Sequence, residues 1–248
     1  MTRIAVLSDI HGNLPALEAV AAEIRREKPD AVLIAGDLVL NGPDPNGCVD
    51  ALRLLESEGA LIVSGNTDIA VGDFDYGSAY PHYQDGVPDV ITAAAEWAHD
   101  ELGDDQLDWL CRLPAERRMR ADGDTLILVV HASPGSQTRG FDQALDNNVI
   151  FERAAATDAR VICVGHTHLP EVRDLGFKVI VNDGSCGYVF DGEPTASWAM
   201  VTIANGTVDA VIRRTAFDAL SVANAISARG LPGDVYRAAT VRTGKLVR

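Results

Sequence analysis

Short runs rich in Val, Ile and Leu recur along the chain: RIAVLS (3–8), AVLIAG (31–36), ALIVSG (60–65), TLILVV (125–130), RVICVG (160–165) and KVIVND (178–183). Their apolar character is continuous rather than alternating, which predicts strands covered on both faces. After the first run, Leu14, Leu17, Val20, Ala21 and Ile24 recur at helical spacing. Asn13 stands ready to cap that helix, Pro15 lies in its first turn, and Lys28-Pro29 stops it. A second helix is predicted from about Asn46 to Glu58, with Gly59 closing it. The resulting β-α-β-α-β order implies a parallel sheet with right-handed crossovers.

The C-terminal half has a different rhythm. EVRDLGFKVIV (171–181) and WAMVTIANGTVDAVIRRT (198–215) read as hairpins, the second turning at Asn205-Gly206. A second, more antiparallel sheet is therefore expected to pack on the first. Between Gly72 and Leu113 lie a polar, aromatic loop (72–86) and two short helical stretches, read as a helical cap over one edge of a single domain spanning 1–248. No internal repeat or low-complexity tract occurs, and the stretch from Leu231 to Arg248 is expected to be loose.

Composition narrows the function. A formal charge of −15 would repel a polyanion over most of the surface, so a nucleic-acid polymer is not an expected partner. A small anionic substrate would need local positive charge, such as a metal ion. The four cysteines are scattered without a C-x-x-C pair, which suggests neither a disulfide framework nor a zinc ribbon. The N-terminal MTRIAVLSDIHG lacks the apolar length of a signal peptide, and no run reaches membrane-spanning length. A soluble, cytoplasmic protein without a membrane partner is expected.

Polar residues gather just beyond the predicted strands. Asp9 and His11 follow the first, Asp37 the second, Asn66 the third, His131 the fourth, and His166 and His168 the fifth. In a parallel α/β sheet the carboxyl ends of the strands share one rim, where ligands bind. Taken singly, each residue has an ordinary explanation as a helix cap, a turn former or a satisfied histidine. Repetition after five strands argues instead for one convergent site. Carboxylate, neutral imidazole and amide oxygen, with no thiolate, suit Mn, Fe, Co, Ni or Zn. Seven donors are too many for one ion; two ions about 3.5–4 Å apart, bridged by a carboxylate, would use them all.

The ordered set Asp9-x-His11, Gly36-Asp37, Gly65-Asn66-x-Asp68, His131 and Gly165-His166-x-His168 resembles the calcineurin-like metallophosphoesterase superfamily, closest to its small bacterial and archaeal phosphodiesterase branch. The resemblance runs from residue 4 to about Gly187. It implies a four-layer αββα sandwich of two mixed β-sheets flanked by helices. It also implies that Asp9, His11, Asp37 and His168 hold one ion and that Asp37 bridges to a second held by Asn66, His131 and His166. Hydroxide between the ions would then attack, in line, the phosphorus of a small phosphodiester, nucleotide or phosphomonoester. Two other activities fit the same fold: an interaction scaffold like the retromer subunit, and a protein Ser/Thr phosphatase.

One departure stands out. In much of the superfamily the asparagine is followed by a histidine that serves the leaving group, but this chain has Thr67 there, with Asp68 next to it. His82 and His99 in the expected cap are candidates to face substrate, as are Tyr76, Tyr80 and Tyr83 beside them; packing is the alternative. Arg139, just past His131, suits a phosphate oxygen, with solvated surface charge as its alternative.

Overall fold

The computed structural model describes residues 1–248. The chain runs β1 (Thr2–Leu7), α1 (Leu14–Glu27), β2 (Ala31–Ile34), α2 (Pro45–Ser57) and β3 (Leu61–Ile62), then four helices, α3 (Asn66–Gly72), α4 (Tyr76–Ala79), α5 (Asp89–Asp100) and α6 (Asp104–Cys111). There follow β4 (Glu116–Ala121), β5 (Thr125–Val130), α7 (Asn147–Ala155), β6 (Val161–Val164), β7 (Glu171–Asp174) and β8 (Val179–Asn182). The chain closes with β9 (Ala196–Ala204), β10 (Thr207–Thr215), α8 (Ala219–Arg229) and α9 (Asp234–Thr243).

Two five-stranded mixed sheets result, with strand orders β10-β9-β1-β2-β3 and β4-β5-β6-β8-β7. Alternate residues of each strand point to opposite faces, so one strand serves two cores. Ile4 and Val6 of β1 join Leu33, Ile127, Val161, Val181 and Val201 between the sheets. Ala5 and Leu7 instead pack with Leu17 and Val20 of α1 and Val49 and Leu52 of α2. On the outer face of the second sheet, Leu128, Ile162 and Ile180 cover Ile150 and Ala154 of α7. The layers are helices, sheet, sheet, helix.

The hairpin turning at Asn205-Gly206 forms as expected, but it does not belong to the second sheet. β9 pairs antiparallel with β1 from Thr2↔Ile203 to Val6↔Ala199, extending the first sheet. The second sheet keeps a parallel centre, β5-β6-β8, between antiparallel edges β4 and β7. A hairpin pattern specifies a turn and a register, not which neighbour its free edge will find. α2 begins at Pro45, one residue before the expected start, because the Asp44 side chain accepts the Gly47 N–H at 2.8 Å.

The 72–113 segment packs as part of the outer helical layer. Ala94, Ala95, Ala98, Trp109 and Leu110 share one apolar core with α1 and α2. The C-terminal stretch expected to be loose is ordered: α9 buries Ala238 and Val241 against Val222 and Ile226 of α8. Arg229 pairs with Asp234 at 2.6 Å and donates to the Asn41 and Gly42 carbonyls at 2.9 and 2.7 Å. Arg237 Nε donates to Asn41 Oδ1 at 3.0 Å. Both arginines anchor the C-terminal helices to the loop between β2 and α2, beside His11.

Candidate metal centre

All seven candidate ligands meet at the carboxyl ends of β1, β2, β3, β5 and β6, where the two sheets abut. Asp9, His11, Asp37, Asn66, His131 and His168 are buried, and His166 alone is half-buried. Asp9, His11, Asp37 and His168 each present a donor atom within 4.8 Å of the others. Local backbone geometry helps to gather them: Asp9, His11, Asp37, His166 and His168 all have positive φ, between 51° and 70°. Side chains rarely tolerate that region, and such strain persists where the surroundings hold it for function.

The glycines of the motifs permit the close approach. A Cβ on Gly65 would collide with Asp37 Oδ1, and one on Gly165 with Asp9 Oδ2 and Ser8 Oγ. Asp68 then ties the strand ends together: its carboxylate accepts the N–H groups of Asp37 (3.0 Å), Leu38 (2.8 Å) and Gly65 (2.8 Å). Burial and the nearby Asp37 push the Asp68 carboxyl up to about 7, against the pull of those N–H donors.

Backbone carbonyls fix the imidazoles. His11 Nδ1–H donates to Leu40 O at 2.9 Å, His131 Nδ1–H to Ala35 O at 2.7 Å, and His168 Nδ1–H to Tyr188 O. Each ring therefore turns the lone pair of its Nε2 inward. The His11 and His168 Nε2 atoms face each other at 3.2 Å. His168 Nε2 lies 3.1 Å from Asp9 Oδ1, a fully buried oxygen with no hydrogen-bond donor, while Asp9 Oδ2 accepts the His166 N–H at 2.8 Å. Burial alone would raise the Asp9 carboxyl; His168 and His11 outweigh it and hold the group well below its ordinary value.

A second convergence lies beside the first. Asn66 Nδ2 donates to Ala79 O at 3.2 Å, which turns Oδ1 toward His131 Nε2 and His166 Nδ1, each 3.1 Å away. His131 Nε2 and His166 Nδ1 are themselves 3.1 Å apart. Burial, then the neighbouring His131, lower His166 to about 4, so its ring is neutral and free to donate electrons. Asp37 stands between the groups: Oδ1 is 3.4 Å from His131 Nε2, and Oδ2 is 3.6 Å from His11 Nε2. Facing lone pairs and an orphaned carboxylate oxygen repel one another in a buried site unless a cation lies among them. The donor set fits divalent metal.

Other residues singled out in the sequence fall outside this cluster. His99 Nδ1 bonds Val71 O at 2.8 Å and its ring packs on Phe74 at 4.5 Å, tying α5 to α3. His82 is exposed in the loop after α4, where its ring lies 4.2 Å from that of Tyr83. Neither is hydrogen-bonded or ion-paired to the seven. Arg139 is exposed in a cleft that His166 also lines. Thr67 donates its backbone N–H to Asp37 Oδ1 at 2.9 Å, while its buried hydroxyl has no partner.

Some supporting groups lie outside the ligand motifs. The carbonyls of Leu40, Ala35 and Tyr188 orient three rings, and Phe190 stacks on His168 at 4.1 Å. Asp183 sits behind Asp9, sharing Ser8 Oγ at 3.2 Å; burial and the Asp9 charge hold its carboxyl well above the usual range.

Known proteins resemble this chain in sequence and in fold. The sequence model of the calcineurin-like phosphoesterase superfamily domain matches residues 2–206. An uncharacterised protein of Methanocaldococcus jannaschii is 29% identical over 215 residues, covering 79% of this chain and 81% of its own. A metallophosphoesterase structure from Sphaerobacter thermophilus superimposes with a TM-score of 0.73 at 27% identity, covering 98% of this chain and 99% of that one. A hypothetical protein of Pyrococcus horikoshii shares the fold with a TM-score of 0.83 at 22% identity, over 98% and 99% of the two chains.

Proposed function

Because the chain belongs to the calcineurin-like phosphoesterase superfamily, we propose that it is a dinuclear metal-dependent hydrolase of a small phosphodiester, nucleotide or phosphomonoester. The observation that carries this reading is Asp37, whose two oxygens face different histidines, His131 and His11. Asp9, His11 and His168 would hold one ion with Asp37, and Asn66, His131 and His166 the other. Mn, Fe, Co, Ni and Zn all suit these donors. When bound, such a pair supplies a nucleophile at neutral pH and neutralises phosphate oxygens.

The chain's own groups set the rest. Three backbone carbonyls lock the His11, His131 and His168 tautomers, so the donors are organised before substrate arrives. Asp68 fixes the separation of the Asp37 and Asn66 loops. An interaction scaffold would have no use for an unpartnered buried oxygen such as Asp9 Oδ1.

No imidazole stands at Thr67 to protonate the leaving group. A positioned acid contributes about 10²–10⁴-fold, most for a basic alkoxide and little for nitrophenolate. The test is a series of aryl and alkyl phosphoesters, assayed with each divalent ion after metal stripping. Metal-dependent hydrolysis with log kcat/KM falling steeply as leaving-group pKa rises supports the reading. No metal-dependent turnover would overturn it, and a slope near zero would locate an acid elsewhere, with His82→Ala the first variant to examine.

A further inference from the structure

Six of the seven candidate ligands are buried; the seventh, His166, opens onto a cleft of about 380 Å³. Arg139, Arg153, Thr138 and Thr167 line that cleft with it. A neighbouring hollow of about 270 Å³ shares both arginines and continues along α7 past Glu152. The only half-exposed edge of the centre thus leads directly to two guanidinium groups.

We propose, resting on the phosphoesterase reading, that this cleft binds a second phosphate of the substrate, held by Arg139 and Arg153 while the scissile phosphate lies at the metal centre. The substrate class is then a small molecule with adjoining phosphates, such as a nucleoside diphosphate, rather than a simple monoester.

Four observations lead there. First, neither arginine has a carboxylate within ion-pair distance, although the chain carries 36 acidic against 21 basic residues. Second, the acidic residue in the same cleft, Asp142, points to its own loop, accepting the Ala144 N–H at 2.7 Å. Third, the rim is tightly built: Arg153 Nη1 donates to the Gly140 carbonyl, and a Cβ on Gly140 would lie 2.9 Å from His166 Cδ2. Arg153 therefore also positions the ligand ring through Gly140. Fourth, Arg139 has no side-chain bond; only its backbone N–H is engaged, by Ser136 Oγ at 3.1 Å. Its guanidinium is free to form the paired hydrogen bonds that arginine makes with phosphate.

Arg139→Glu is the informative variant, because it reverses the charge without touching the Arg153–Gly140 support. Pyrophosphate binding is measured by calorimetry on metal-stripped protein, and kcat/KM is compared for ADP and AMP with saturating metal. The proposal expects pyrophosphate affinity to fall about ten-fold or more in Arg139→Glu, the effect of one lost charge-assisted hydrogen bond. It also expects the ratio of kcat/KM for ADP over AMP to fall about ten-fold or more in the variant, the preference that remains reflecting the better leaving group of ADP. Equal pyrophosphate affinity in the two proteins, no binding by either, or an ADP-over-AMP ratio unchanged by the substitution would overturn it. Failure of both nucleotides to react with any ion counts against the phosphoesterase reading instead, and the metal-free binding comparison still decides the cleft.

Discussion

The Nε2 atoms of His11 and His168 face each other at 3.2 Å, and each ring has already given its Nδ1–H to a backbone carbonyl. Two inward lone pairs beside the unpartnered Asp9 Oδ1 form a buried electron-rich pocket that a cation relieves. Metal should therefore stabilise the fold. At a hundred times its dissociation constant, one bound ion adds about 2.7 kcal/mol. For a chain of this size that raises Tm by about 5–10 °C. Differential scanning of chelated and Mn- or Zn-loaded protein checks it; coincident transitions would contradict the metal assignment.

Protons compete for the same lone pairs. Burial disfavours charge on His131 and His168, but Asp37 and Asp9 respectively outweigh it and raise both rings above the ordinary histidine value. A raised value means that the metal-free site keeps its protons to higher pH, and an entering ion must displace them. Metal affinity should climb as pH rises through that raised range and drop as pH falls through it, by about ten-fold per unit for each proton displaced. Dissociation constants from a competing chelator across a pH series give the slope. A flat profile would mean that these rings do not bind the ion.

Asp37→Asn should impair turnover more than Asn66→Ala. The carboxylate of Asp37 addresses both ligand groups, whereas Asn66 Oδ1 addresses only His131 and His166. Loss of the bridging charge is expected to reduce kcat about a hundred-fold, equivalent to ~2.7 kcal/mol of barrier, against about ten-fold for Asn66→Ala. Steady-state kinetics on both folded variants decide the order. Near-normal activity in Asp37→Asn would remove it from the bridging position.

Asp68 is expected to matter for stability rather than for orienting an acid. All three of its hydrogen bonds go to the backbone N–H groups of Asp37, Leu38 and Gly65. Asp68→Ala leaves three donors unpaired and should cost about 3 kcal/mol or more, lowering Tm by about 6–12 °C. Because those donors sit in the ligand loops, metal affinity should fall with it. For the same reason Thr67→His alone should restore little acid catalysis, since no free carboxylate remains to orient the new ring. Unchanged melting in Asp68→Ala would show that these bonds contribute nothing net.

The strand pattern and the order of polar residues beyond it were legible because buried parallel strands need unbroken apolar runs, and their carboxyl ends must share a rim. β4 was not legible. Its residues Glu116, Arg118 and Arg120 face solvent, and only Met119 and Ala121 pack inward, as befits a charged edge strand. The placement of β9 against β1 was hidden because it depends on which edge the hairpin meets, a long-range choice. Nor do His11, His166 and His168 advertise their positive φ: the residue type gives no hint, and the surrounding packing imposes it. The helical character of α9 was obscured by its weak apolar pattern; its place is fixed instead by Arg229, Asp234 and Arg237.

The central claim is two ions on seven ligands, with Asp37 between them. Elemental analysis of protein stripped of metal, reconstituted with saturating Mn or Zn and freed of excess ion, tests it most directly. Two ions per chain are expected. One ion or fewer per folded wild-type chain would contradict the account.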